Sequence, residues 1–75
     1  MTNTEQTVCR NIRECRRVCR RTQEDLALEA DVSVSHLSKI ERGLSSPTVR
    51  TLERLAQAMQ VPIEAFFCGA DVTES

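Results

Sequence analysis

The sequence predicts an all-α domain of five helices. Three observations carry this. Apolar residues recur at helical spacing in successive segments. Residues able to cap a helix, Thr22, Ser33 and Thr48, stand at the heads of three of them. Two Gly and two Pro in 75 residues are too few for a turn-rich β chain. This length is one small domain. We read residues 1–6 as a loose polar tail, 7–68 as the folded unit, and 69–75 as a polar C-terminal tail.

The first helix is expected from about Thr7 to Arg20. At about 100° per residue, Val8, Ile12, Cys15 and Cys19 fall within an arc of about 60°. That arc is a thin core stripe, with Arg residues on another side. Cys9 is placed toward the Arg side, and Val18 lies off the stripe.

Thr22 opens the second helix. Thr22-Gln23-Glu24-Asp25 resembles a capping box with Asp at its last place, and its two acids suit the positive end of the helix dipole. Leu26, Ala27 and Ala30 form the apolar face. Asp31-Val32-Ser33 breaks the pattern, and Ser33 caps a third helix whose inward residues are Leu37 and Ile40. Gly43 supplies a left-handed stop.

Thr48 caps a fourth helix, with Val49, Leu52, Leu55, Ala56 and Met59 on one face. Pro62 starts a short fifth helix that runs through Phe67 and ends at Gly69. One of Phe66 and Phe67 is expected to complete the core.

The net charge of −1 conceals an asymmetry. Residues 1–21 hold six Arg and two acids, while residues 22–75 hold four basic residues and nine acids. Any polyanion would therefore meet a local basic patch rather than the whole surface. Arg10, Arg13, Arg17 and Arg20 read as a largely solvated basic flank. No apolar run approaches the ~18 residues of a membrane span, and Met1 to Thr7 lack a signal-peptide core. A cytoplasmic location is the expectation.

Four cysteines stand at positions 9, 15, 19 and 68, with no C-x-x-C pair, and His36 is the only histidine. This spacing does not suit a metal site. Cys15, Cys19 and Cys68 read as small buried apolar residues. The sharper alternative is a redox-responsive regulator, in which Cys9 beside Arg13 would favour the reactive thiolate. No nucleophile, base and orienting group stand together, so an enzyme is not expected, and no cofactor or small-molecule ligand is implied.

Two short helices joined by about three residues between Thr22 and Thr51 match the plan of a helix-turn-helix. Here the sequence resembles the Xre-type family, the lambda repressor and Cro class of regulators. The resemblance rests on Ile12-Arg13 and Arg16, on Thr22 through Ala27, on Ser33 through Gly43, and on Pro47-Thr48 with Thr51-Leu52. Leu55-Ala56 and Val61-Pro62 continue it, so it covers residues 8–68. The chain departs from the family at Asp31, where Gly is usual in the turn. It also has Arg20-Arg21 in place of Gly and an apolar residue, and Cys15 where Leu is usual.

The resemblance implies a lambda-repressor-like fold and a sequence-specific, double-stranded DNA-binding regulator in a bacterial or phage setting. It would be a dimeric repressor or small controller protein, its third helix in the major groove. Val34, Ser35, His36, Ser38 and Lys39 are its expected base readers. Lys39 suits guanine O6 and N7, and Val34 suits a thymine methyl group. Gln23, Ser33, Arg16, Arg42, Ser45 and Ser46 are its expected phosphate neighbours, the resemblance giving Gln23 a second role, that of steadying the third helix. Arg16 and Glu41 resemble a family pair that ties the first helix to the end of the third. A homodimer would meet half-sites roughly 34 Å apart. The acidic residues 22–75 leave a second reading, an antitoxin-like protein-interaction module with weak DNA affinity.

Overall fold

The computed structural model describes residues 3–69, and its helices account for most of them. They are α1 (Asn3–Val18), α2 (Gln23–Ala30), α3 (Val34–Glu41) and α4 (Val49–Met59), followed by a 3₁₀ helix (Ile63–Phe67). Four α-helices therefore stand where five helices were expected, and the last element is the tighter 3₁₀ form. Its five residues lie between Pro62, at φ −69°, and an extended Cys68. That leaves room for little more than one turn, the usual extent of 3₁₀ structure.

Helix α1 begins at Asn3, which corrects the tail assigned to residues 1–6 over its described part. Glu5 sits in the first turn, favourable to the dipole. Thr4, Glu5 and Val8 line a hollow with Pro47, Leu52 and Phe67. These packed residues supply the reason for helix that the weak apolar period lacked. Residues 1–2 and 70–75, the remainder of the two expected tails, lie outside the described residues.

The three expected caps are formed. The Thr22, Ser33 and Thr48 hydroxyls accept from the backbone N–H of Asp25, His36 and Thr51, at 3.0, 2.9 and 3.1 Å. At the other ends, one device recurs four times. Arg20, Asp31, Gly43 and Gln60 all adopt positive φ, between 58° and 74°. The residue after each returns a hydrogen bond five residues back, as in Arg21 N to Arg16 O and Val61 N to Ala56 O. This is the Schellman arrangement, which normally prefers glycine. Only α3 has glycine there. Arg20 also ends α1 at Val18, before the expected limit.

Phe66 lies at the centre with no exposed surface, among Ile12, Leu26, Leu37, Ile40 and Leu55. Burying such a side chain contributes about 1.5–3 kcal/mol. Helix α1 packs on the 3₁₀ helix, α2 on α3 and α4. Phe67 stays exposed, as does Val49 at 67 %. Val49 was expected on the core face. It precedes the packed turn of α4, and Thr51 is buried instead.

Two cysteine placements are also corrected. Cys9 faces the Arg side as expected but is buried, at 1 % exposure, rather than open to solvent. The loop after α3 covers that flank, and the Cys9 thiol donates to Ser45 O at 3.8 Å. Cys68 is exposed rather than buried, because it follows the last turn of the 3₁₀ helix. Cys15 and Cys19 pack, partly buried, against the core.

Candidate nucleic-acid interface

Helix α3 has two unlike sides. Leu37, Ile40 and Glu41 are buried. At about 100° per residue, Val34, Ser38, Arg42, Ser35 and Lys39 follow one another over about 140° of the other side. Of these, Ser38 is half-buried and the rest are exposed. Four of the expected base readers thus share one arc with Arg42. His36 falls off that arc and is half-buried, its backbone N–H held by the Ser33 cap. No acid lies on the arc, and it carries Lys39 and Arg42.

The buried acid, Glu41, holds α3 in place. Arg16 Nε donates to Glu41 Oε2 at 2.7 Å, and Arg16 Nη2 donates to Oε1 at 3.0 Å. Gln23 Nε2 donates to the same Oε1 at 3.0 Å. Arg16 Nη1 donates to Arg21 O at 2.8 Å, so the end of α1 joins the cluster. A buried carboxylate is tolerated when paired and hydrogen-bonded in this way.

Arg16 and Gln23, both expected at phosphate, are therefore engaged inside the protein in this structure. The Arg16–Glu41 tie is present as the family resemblance implied. Gln23 joins α2 to α3 across the turn, the steadying role that the resemblance offered as the alternative to a phosphate contact.

Among the other expected phosphate neighbours, Ser33 and Arg42 are exposed. The Ser45 carbonyl accepts from Cys9, and the Ser46 hydroxyl donates to Glu5 Oε2 at 2.8 Å. The turn from α2 to α3 is closed by Asp31 at φ 59° and ψ 45°. Its short polar side chain tolerates this left-handed conformation better than most.

Asn11 was not singled out in the sequence. Its Nδ2 donates to Phe66 O at 2.8 Å and to Cys68 O at 2.7 Å, fastening the 3₁₀ helix to α1. A lone Asn inside a helix carries no signal for such a contact.

Burial pushes the Cys9 thiol above its ordinary value of 9.0, and nearby Glu5 pushes it further. Cys15 is raised in the same direction, mainly by burial and then by Cys19, Cys68 and Glu14. Both the burial of Cys9 and this shift run against a reactive Cys9 thiolate beside Arg13. A poorly solvated thiol favours its neutral form.

A short helix with a buried anchor and an exposed, acid-free polar arc, docked through a tight turn on a preceding helix, defines a helix-turn-helix protein. The helix-turn-helix family profile matches residues 12–66. The chain is 31 % identical over 64 residues to the HTH-type transcriptional regulator DdrOP3 of Deinococcus deserti, covering 85 % of this chain and 50 % of that protein. It is 33 % identical over 63 residues to the HTH-type transcriptional regulator Rv0474 of Mycobacterium tuberculosis, covering 84 % and 45 %. The chain thus spans about half the length of these relatives.

Among solved structures it resembles the restriction-modification controller protein C.Esp1396I, with a TM-score of 0.82 and 28 % identity over 89 % of this chain and 88 % of that one. The controller C.AhdI of Aeromonas hydrophila shares the fold, with a TM-score of 0.79 and 24 % identity over 81 % and 92 % of the two chains. This chain belongs to the Xre-type, lambda-repressor-like helix-turn-helix family of transcriptional regulators. Among the described residues, no helix is long and apolar enough to cross a membrane.

Proposed function

We propose that this chain binds double-stranded DNA sequence-specifically, as a dimer on an inverted repeat, and controls transcription as a repressor or small controller protein. The acid-free arc of Val34, Ser35, Ser38, Lys39 and Arg42 on α3 carries this reading. A helix of this size enters the major groove, where Lys39 donates to guanine and Val34 meets a thymine methyl group. Ser33 and Arg42 meet phosphates at the two ends of α3. Arg16 and Gln23 act one step back, by fixing α3 through Glu41.

Exposed Val49 and Phe67, on the last two elements, support a two-fold surface. Symmetric dimers are the commonest oligomers. The likeness to the restriction-modification controller protein C.Esp1396I supports the controller reading.

The test is selection from fragmented genomic DNA by the purified, reduced protein at moderate salt. Enrichment of an inverted repeat supports the proposal. Retention no better than for random DNA would overturn it in favour of an interaction module.

A further inference from the structure

A groove of about 260 Å³ runs between α1 and the end of α3. Arg10 and Arg13 line it from α1, Arg42 lines it from the end of α3, and Cys9 and Glu41 also contribute. We propose that this groove seats a phosphate of the DNA backbone, held by Arg10, Arg13 and Arg42. The inference rests on the DNA-binding reading and extends the contact surface from α3 onto α1.

Three guanidinium groups border one groove, and among the described residues Arg10 and Arg42 form no ion pair. Arg13 approaches Glu14 only at 4.0 Å, with both side chains about half exposed. Such a contact is weak in water. Glu41, the acid that lines the groove, has both carboxylate oxygens engaged by Arg16 and Gln23. Glu5 lies nearby and accepts from Ser46. The groove is therefore left with an excess of positive charge, and guanidinium is the side-chain group best shaped for phosphate.

Position makes the phosphate part of a nucleic acid. Arg42 lies within the same arc of α3 as Ser38 and Lys39, one turn beyond Ser38. A duplex meeting that arc continues past Arg42 toward the α1 rim. On α1, Gln6, Arg10 and Arg13 share one side at helical spacing, which turns part of the basic flank toward the groove. Arg17, on the same helix, is not in the lining and pairs with Glu14 at 3.6 Å.

The test measures binding of the full chain to a mixed-sequence DNA duplex over a range of salt concentrations. The parent is compared with Arg10→Gln, Arg13→Gln, the double variant, and Arg17→Gln as a control matched in charge to each single variant. Circular dichroism confirms the fold of each. Each phosphate neutralised adds about 0.9 to the slope of log affinity against log salt. The double variant should lose about one unit of slope and bind all sequences several-fold more weakly, while Arg17→Gln changes little. A steep parental slope left unchanged in the double variant would sink the groove and spare the DNA-binding reading. A loss for Arg17→Gln equal to that of each single variant would also sink it, by showing a general charge effect. A flat parental slope would remove the DNA-binding reading itself. Inorganic phosphate that competes only with the parent would locate the anion in the groove, and equal competition for all variants would refute that location.

Discussion

Arg16 and Glu41, 25 residues apart, meet through two hydrogen bonds at 2.7 and 3.0 Å, and the Glu41 side chain is only 2 % exposed. The pair fixes the end of α3 against α1. Removing one partner leaves a buried charge unpaired, which costs far more than an exposed pair contributes. Arg16→Ala should destabilise the domain by about 3 kcal/mol, visible in urea unfolding as a lower midpoint. A loss within about 0.5 kcal/mol would show that water replaces the guanidinium.

Gln23 gives a sharper contrast. If its amide mainly holds Glu41, Gln23→Ala should lose about 1–2 kcal/mol of stability with little change in the salt slope of DNA binding. A drop in slope of about one without loss of stability would instead place Gln23 on a phosphate.

Lys39 and Arg42 share an arc but are assigned different tasks. Lys39→Ala should reduce preference for the selected repeat over random DNA, by about 1–3 kcal/mol in the binding difference. Arg42→Ala should weaken both kinds of DNA alike. Equal loss on both DNAs for Lys39→Ala would refute its base-reading role.

Ser33 serves the helix and, as proposed, a phosphate. Ser33→Ala should cost about 1 kcal/mol by removing the cap on His36 N–H. Ser33→Asp keeps the cap but brings a negative charge to the DNA side. It should remain as stable as the parent while binding DNA more weakly. Unchanged binding by that variant would move the phosphate away from the start of α3.

The cysteines predict an alkaline limit. Cys9 and Cys15 are both held above their ordinary 9.0, so the unfolded chain gives up these protons first. Their contribution to stability is full below that value and is lost as pH rises past it toward the raised folded-state values. Unfolding followed from pH 7 to 11 should show falling stability above about pH 9, and Cys9→Ala should soften the fall. Exposed Cys68 should be alkylated first and buried Cys9 last. Early alkylation of Cys9 would contradict its burial.

The parts of the fold that were legible in the sequence are those with a local chemical cause. Thr22, Ser33 and Thr48 are short polar residues ahead of apolar periods, and each forms its cap. Gly43 is the residue that a left-handed stop prefers, and it is one. Arg20 performs the same task without any such signature, so the end of α1 was not marked. Cys9 could not be placed from its angle on α1, because the loop that covers it lies 36 residues away. The polar arc of α3 followed from helical period and family resemblance together. The engagement of Gln23 with Glu41, and the groove that gathers Arg10, Arg13 and Arg42, depend on how α1, α2 and α3 meet. No spacing within one segment encodes that meeting.

The Asn11 clasp sets an order for the chain's birth on the ribosome. Its two carbonyl partners lie 55 and 57 residues downstream. Helices α2, α3 and α4 are made before them and can nucleate on near neighbours. The central Phe66 arrives just as late. The segment from Ile63 to Cys68 therefore acts as a keystone, and α1 must wait several seconds, at about 5–20 residues per second, before its seat is complete. A chain cut short before Phe66 would leave α3 without its finished support.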